Sequence, residues 1–370
     1  MVSPKTRAVV WARAAGRCEY PGCNTDLIGD YVSSNEDATF GFIAHIVAEK
    51  STGPRGDPVR SPLVADDPAN LMLLCYTHHK LIDVDDEEAH PEQRLLDMKA
   101  AHENRVRIVA AIDANRASHV LRYGAKIGRH DSPVSFSRVS LAMLPDRYPA
   151  EGRSIGIEII GNAYQDDERV FWDAEPDNLR RQFETQLRPR ITTREISHLS
   201  LFALGPMPLL MELGRLLCDI VPADVYQLHR EPPSWKWAKD GPHIEYKVGR
   251  PEHIRPTVAL KLGVSATITD DRIAAVLGNN VSIWSITAPN ANNDVMRYRE
   301  DLREFRRLMR AMYNDIKAAH GSGATINVFP AIPVSAAVEV GRVWMPKADL
   351  PLSIFDESRG KGFVPRLKIS

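Results

Sequence analysis

Four soft or borderline metal ligands stand in two close pairs, Cys18-x4-Cys23 and Cys75-x2-His78. A closed tetrahedral zinc site takes four thiolate or imidazole groups and leaves no open position. One Zn2+ held by Cys18, Cys23, Cys75 and His78 therefore obliges two stretches distant in sequence to meet at a point. That demand limits the first eighty residues more than any local propensity does. Three of the chain's four cysteines fall here at ligand spacing, which argues against buried structural thiols and more strongly against a disulfide. The fourth, Cys218 in Leu216-Leu217-Cys218, reads as a small core residue.

His79 directly follows a zinc ligand, points away from that ion and is free for a second, harder metal. His45 lies in Phe42-Ile43-Ala44-His45-Ile46, an apolar run that reads as a strand. Around these stand Gly16-Arg17-Cys18, Gly53-Pro54-Arg55-Gly56, Asn70-Leu71-Met72-Leu73-Leu74-Cys75 and His79-Lys80-Leu81-Ile82-Asp83. In these residues and in the order His45, Asn70, His79 the region resembles the HNH (ββα-metal) endonucleases. The resemblance implies an α+β, zinc-stapled nuclease domain in which His45 is the general base and Asn70 orients the loop or the histidine. It makes His79 a ligand of Mg2+ or another divalent ion that offsets charge on the scissile phosphate. The chemistry agrees, since imidazole titrates near neutrality and a metal neutralises charge that develops in the transition state. One position departs: many such enzymes carry an acid or histidine before the base, and here Ala44 stands there. Asp83 and Glu49 are candidates for the second ligand, and a single histidine completed by water and phosphate is the alternative. A zinc knuckle that only binds protein or nucleic acid would explain the four zinc ligands but not His45, Asn70 and His79.

At 370 residues the chain exceeds a single core, and two domains are expected. Its 44% hydrophobic and 26% charged residues are those of a soluble globular protein. No apolar run approaches a membrane span, and the charged N-terminus is unlike a signal peptide, so a cytoplasmic location is expected. The net charge of −1 means that any DNA-facing basic surface is local; Lys5, Arg7, Arg13, Arg17, Arg55 and Arg60 are its candidates, though each is by itself an ordinary solvated charge.

The intervals of Leu95, Leu96, Met98, Val106, Ile108, Val109 and Ile112 predict a helix or helix pair over about 92–118. The breaker-rich stretch Tyr123–Pro133 reads as a join, which gives a nuclease domain at 1–120, a linker at 121–134 and a second domain at 135–370. Beyond the join the pattern is α/β, with strands expected over 154–160, 199–204, 223–228, 258–264, 281–286, 324–329 and 352–355. Helices are expected over about 206–219, 294–319 and 333–344. Within this half the frame Phe-x3-Pro-x5-Glu-x-Gly-Arg occurs twice, from Phe202 to Arg215 and, 127 residues later, from Phe329 to Arg342. Each copy reads as strand, tight turn and helix with Pro at or near the first turn. Such turns expose N–H groups to phosphates, and two of them suggest two fused Rossmann-like halves facing a near-symmetric ligand. A duplicated scaffold whose Phe, Pro and Gly serve packing alone explains the frame equally well.

With Ala142-Met143-Leu144-Pro145-Asp146-Arg147-Tyr148-Pro149, Val225-Tyr226-Gln227, Trp235-Lys236-Trp237 and Met345-Pro346-Lys347, these repeats resemble the SAVED domain. That domain is a pseudo-duplicated relative of CARF domains that senses cyclic oligonucleotides. The chain as a whole resembles the HNH-SAVED effectors of bacterial CBASS anti-phage systems. This implies an α/β sensor of two fused CARF/Rossmann-like halves, activated by a cyclic di- or trinucleotide from a partner cyclase. It further implies degradation of double-stranded DNA with little sequence preference by a ligand-induced homo-oligomer, from dimer to tetramer. By chemistry, Trp235 and Trp237 offer flat faces to a purine and Lys236 a cation to a phosphate, with packing the alternative for one of the two tryptophans. Ser265, Pro330, Ala331 and Lys347 are further ligand candidates. The helix bearing Arg297, Arg299, Arg303, Arg306, Arg307 and Arg310 alternates with Glu300, Asp301 and Glu304, and reads as a salt-bridged solvated face or a subunit contact. Two rivals remain at this level, a restriction-type HNH enzyme with a DNA-reading second domain and a non-catalytic zinc-containing nucleic-acid-binding protein.

Overall fold

A computed structural model describes residues 2–30, 35–127, 134–158, 164–358 and 360–370. The chain forms two compact units, Met1–Asp113 and Ala114–Ser370.

In the first unit, α1 (Pro4–Ala14) starts where the Ser3 hydroxyl accepts from Thr6 N at 3.2 Å and Pro4 occupies the first turn. Strands β1 (Ile28–Asp30) and β2 (Asn35–Thr39) pair antiparallel. Next, β3 (Phe42–His45) pairs antiparallel with β4 (Leu71–Leu74), with Ala44 opposite Met72 and His45 opposite Leu71. A short helix, α2 (Arg60–Val64), lies in the connection, and β4 runs through Cys75 into α3 (Tyr76–Lys80) and a π turn at Leu81–Asp85. The long α4 (Glu92–Ala110) closes the unit. All four residues of β4 are buried, and Val10, Ala14, Leu95 and Met98 from the two long helices pack in the same core.

The second unit opens with β5 (Ala117–Gly124), a strand where the sequence predicts the end of a helix and the start of a linker. The expected linker is thus displaced, since the boundary falls between Asp113 and Ala114. Tyr123 and Leu121 are fully buried, so a segment that reads as breaker-rich is held by tertiary packing. The rest of the predicted join, 128–133, and residues 159–160 of a predicted strand lie outside the described residues. Following β5 come α5 (Phe136–Met143), β6 (Tyr148–Pro149), β7 (Ile155–Glu158), α6 (Arg169–Gln182), α7 (Arg188–Thr192), β8 (Leu199–Leu204), α8 (Met207–Leu217) and β9 (Ala223–Tyr226). A small pair, β10 (His229–Arg230) and β11 (Pro233–Ser234), and the edge strand β12 (Lys247–Gly249) lead to the second half. That half comprises β13 (Thr257–Gly263), α9 (Asp270–Leu277), β14 (Val281–Thr287), α10 (Arg299–His320), β15 (Ile326–Ala331), α11 (Val334–Arg342), β16 (Leu352–Ser358) and β17 (Gly362–Ile369).

The parallel strands run β7-β5-β8-β9 in one sheet and β14-β13-β15-β16 in the other, with β12 and β17 as antiparallel edges of the second. Apart from the two-residue β6, which also pairs parallel with β5, the chain order in each sheet is second, first, third, fourth. This doubly wound order places a switch point between the first and third strands, outside their carboxyl ends. The repeated frame has a packing role in both copies. Phe202 stacks on Tyr226 at 4.3 Å and Phe329 on Phe355 at 4.6 Å. Pro206 and Pro333 are the N-caps of α8 and α11. The two helices cross backbone to backbone at the repeated glycines: a Cβ on Gly341 would lie 1.8 Å from Met211 O, and one on Gly214 2.0 Å from Val338 O. The reciprocity of these contacts marks a pseudo-two-fold axis at the crossing.

Candidate functional site

The ligand atoms of Cys18, Cys23, Cys75 and His78 lie within 4.8 Å of one another, the one such group of three or more among the described residues. His78 Nδ1 is 3.1 Å from Cys75 Sγ and 3.7 Å from Cys18 Sγ. A tetrahedral zinc with Zn–S near 2.3 Å and Zn–N near 2.0 Å spaces its ligands about 3.5–3.8 Å apart, so the donor set fits that ion. Local backbone builds the knuckle: Cys18 N donates to Thr25 O at 3.0 Å and Cys23 N to Tyr20 O at 3.1 Å. Burial pushes the Cys18 thiol up to about 12 and holds His78 below its ordinary range, which keeps the imidazole in its neutral, ligating form. Tyr20 stacks on the His78 ring at 4.1 Å and donates its hydroxyl to His90 Nε2 at 3.1 Å, while His90 Nδ1 donates to Asp86 O at 2.6 Å. The ring of the ligand is therefore fixed by a second layer of aromatic groups.

The β3–β4 register sets His45 next to Asn70 along one hairpin, and α3 carries His79 against the first residue of β3, with Phe42 stacked on the His79 ring at 5.3 Å. His45 Nε2 donates to Ala65 O at 3.0 Å. A carbonyl can only accept, so the neutral ring keeps its lone pair on Nδ1. Asn70, 7% exposed, accepts from Val47 N at 2.8 Å and donates to Val47 O at 2.8 Å and Val64 O at 3.2 Å. It clamps the loop that follows His45 and has no direct bond to the imidazole. Ala44 is 1% exposed and packs in the core, so its position cannot supply a metal ligand from this strand. Asp83 Oδ2 is 3.4 Å from His79 Nε2, whereas Glu49 is exposed. Of the two acids, Asp83 is the one placed beside the histidine, and its other oxygen accepts from Arg55 at 2.5 Å.

Arg55 is not part of a basic surface. Its guanidinium is buried and donates to Ile46 O at 2.7 Å and Ile82 O at 2.8 Å, bracing the loop between the strands. Arg60 is held by Glu92, with bonds of 2.9 and 2.5 Å, and Arg17 by Asp26 at 3.2 Å. Lys5, Arg7 and Arg13 are exposed on α1.

In the second unit the predicted ligand residues separate. Ser265 N and Val264 N both donate to Ala331 O, at 2.7 and 2.9 Å, at the switch point between β13 and β15. The Trp loop lies along the same carboxyl edge: Arg230 N and Glu231 N donate to Asp294, at 2.8 and 3.0 Å, in the segment after β14. There Lys236 is exposed, and Trp237 is half-buried with its indole N–H unpartnered among the described residues. Trp235 is 7% exposed, stands at right angles to Phe202 at 5.4 Å and packs in a core cluster with Tyr226 and Val139. Pro330 is buried within β15 opposite Leu262. Lys347 follows α11, which returns antiparallel to the strands, and it therefore sits at the opposite edge of the sheet from Ser265 and Ala331. Trp235, Pro330 and Lys347 thus do not join the crevice. Cys218 is half-buried at the end of α8 with φ 31°, not a core residue.

Two features of the crevice are absent from the sequence reading. Gln227, 5% exposed, accepts from Ser335 N at 3.1 Å and Ser335 Oγ at 2.7 Å, so the end of the first half caps α11 of the second. A cavity of about 570 Å³ opens past β14, lined by polar groups that include His243, Glu245, Asn290, Asn292 and Arg297. Its size is that of a small-molecule site. The only sequence signal was the Asn- and Pro-rich stretch after the strand, which marks a loop but not its shape.

Residues 179–369 match the model of SAVED, the SMODS-associated and fused to various effectors sensor domain. No curated protein matches the chain. Among solved structures, the Cap4 SAVED/CARF-domain containing receptor of Acinetobacter baumannii with the cyclic trinucleotide 2'3'3'-cAAA is similar at 11% identity and a TM-score of 0.43, over 75% of this chain and 59% of that one. The corresponding receptor of Moraxella osloensis is similar at 10% identity and a TM-score of 0.39, over 75% and 58%. The chain spans about six-tenths of the length of these receptors. Among the described residues no helix is long and apolar enough to cross a membrane.

Proposed function

Because the chain belongs to the SAVED family of sensor domains, we propose that Ala114–Ser370 binds a cyclic oligonucleotide and thereby switches on a metal-dependent endonuclease in Met1–Asp113. The reading is that of an HNH-SAVED effector in bacterial anti-phage (CBASS) defence, degrading double-stranded DNA with little sequence preference. The activator is a cyclic di- or trinucleotide seated at the carboxyl edge of the second unit, where Lys236, Trp237, Ser265 and Ala331 offer cationic, stacking and polar contacts.

The observation that carries the nuclease is the β3–β4–α3 hairpin, which sets a histidine with a free Nδ1 lone pair, the asparagine that braces its loop and a second histidine on one small scaffold. His45 Nδ1 takes a proton from the attacking water. Asn70 keeps Val47, and with it the end of β3, in place. His79 with Asp83 would hold the divalent ion, a nitrogen and oxygen pair suited to Mg2+ with several waters. When bound, that ion stabilises charge on the scissile phosphate and the leaving oxygen. Zinc on the four-ligand cluster is structural and ties the first knuckle to α3.

The chain forms two compact units, and on this reading activation proceeds through a ligand-favoured homo-oligomer, which binds the activator more tightly than the free chain does. Plasmid digestion with Mg2+, with and without a panel of cyclic di- and trinucleotides, tests the reading. Cleavage is expected only with one class of activator and is expected to disappear in His45→Ala with zinc content retained. Cleavage at a fixed sequence without activator would replace it with a restriction-type enzyme.

A further inference from the structure

A second cavity, of about 700 Å³, lies in the Ala114–Ser370 unit between α10 and the carboxyl ends of α8 and α11. Its lining carries five guanidiniums, from Arg303, Arg306, Arg307, Arg310 and Arg342, and one carboxylate, Asp219, with Trp344 among the apolar groups; Arg310 is itself held by both oxygens of Asp349. The carboxyl ends of α8 and α11 point away from the carboxyl edge of the strands, so this cavity is distinct from the crevice assigned to the activator.

The internal repeat supplies an unusually direct control. In the first copy, Arg215 makes a two-bond fork with Glu212, Nε to Oε2 at 2.7 Å and Nη2 to Oε1 at 2.6 Å. In the second copy, Arg342 meets Glu339 through Nη1 alone, at 2.7 Å. Its Nε is buried without a hydrogen-bond partner, although the residue is only 6% exposed. In both copies one carboxylate answers two guanidiniums, Glu339 facing Arg306 at 3.5 Å and Glu212 taking Arg180 at 2.6 Å, so the unpartnered Nε is what sets the second copy apart. Leaving a buried charged donor unpaired is costly, and the first copy shows that the same frame can avoid it. Arg303 and Arg307 pair with Glu300 and Glu304 along the exposed face of α10, Arg307 through a two-bond fork, and both line the cavity.

We infer that this arginine-lined cavity is a binding site for a phosphate-bearing small molecule of nucleotide size. Guanidinium forks match phosphate oxygens bidentately, and the volume is that of a small-ligand pocket rather than a flat protein contact. The site is independent of the activator crevice and of the nuclease residues.

The test is calorimetric titration of the full chain with inorganic pyrophosphate and with AMP, alongside uncharged adenosine. Pyrophosphate and AMP are expected to bind one site per chain and adenosine not to bind. Arg306→Gln/Arg307→Gln, two exposed or half-exposed positions, is expected to weaken binding at least tenfold without moving the melting temperature. Arg342→Lys keeps the charge but loses the Nε donor and is expected to weaken binding as well. Activator binding and DNA cleavage are read separately and should be unchanged in the double variant, so failure here and failure of the sensor reading are distinguishable. Absence of pyrophosphate and AMP binding at millimolar concentration, or equal binding by the double variant, overturns the assignment. So does binding of a DNA duplex that competes fully with pyrophosphate, which would make the surface a nucleic-acid track.

Discussion

Gly341→Ala tests the packing logic of the repeat. The added Cβ would sit 1.8 Å from Met211 O and 2.7 Å from Arg215 N, both backbone atoms of the facing helix. No rotamer change can relieve such contacts, so α8 and α11 must move apart by more than an ångström along a buried interface. Overpacking costs about 1–3 kcal/mol, and a rigid backbone clash belongs at the upper end of that range. Alanine returns about 1 kcal/mol through helix propensity. The expected net destabilisation of the second unit is about 2 kcal/mol, which for a unit of this size lowers its melting temperature by about 4–8 °C. Gly323→Ala is the matched control, because nothing lies within 4 Å of a Cβ there. Differential scanning calorimetry of both variants reads the effect. A melting temperature within 1 °C of the parent for Gly341→Ala, or an equal fall in Gly323→Ala, would refute the claim that the repeated glycine exists to let the helices touch.

Three further outcomes are expected. Cys75→Ser should lose bound zinc by elemental analysis and unfold the first unit while the second melts normally, since metal binding in a closed site is folding free energy; unchanged zinc stoichiometry would count against the cluster. Trp235→Ala should destabilise the second unit by about 3–5 kcal/mol, the cost of emptying a core aromatic site, whereas Trp237→Ala should weaken activator affinity more than stability; the opposite pattern in paired melting and titration experiments would return Trp235 to the crevice. Burial beside Arg147 pushes His198 down to about 4, and the ring packs on Ser118 and Asp224. The unfolded histidine takes its proton near pH 6.5, so stability from this group is present above that value and lost as the pH falls toward 4, by about 2 kcal/mol at pH 5. Denaturation midpoints at pH 5 and 7.5 should differ less in His198→Gln, and an unaltered difference would remove His198 as a contributor.

Much of the four-residue cluster was legible because ligand chemistry is local: Cys18-x4-Cys23 and Cys75-x2-His78 state both donors and spacing, and the four ligand atoms converge to within 4.8 Å of one another. The strands of the second unit from Leu199 onward were legible for a similar reason, since buried parallel strands are short apolar runs between breakers. The two copies of Phe-x3-Pro-x5-Glu-x-Gly-Arg announced a duplicated α/β unit without help from coordinates. What such patterns cannot state is which way a side chain faces or what lies across from it. Arg55 and Arg60 look alike in sequence, yet one braces three backbone carbonyls and the other pairs with Glu92 on the surface. Trp235 and Trp237 are two residues apart, and only the position of Phe202 decides that the first is core. Ala117–Gly124 became a central strand because β8 and β7 flank it, an environment assembled from residues far along the chain. The repeated glycine was visible as a letter, but its purpose required a second helix 1.8 Å from where its side chain would be. Sequence determined the ligands, the strands and the duplication, because those depend on composition and period. Tertiary structure decided burial, partnership and the identity of the crevice, because those depend on contacts between segments that no local pattern encodes.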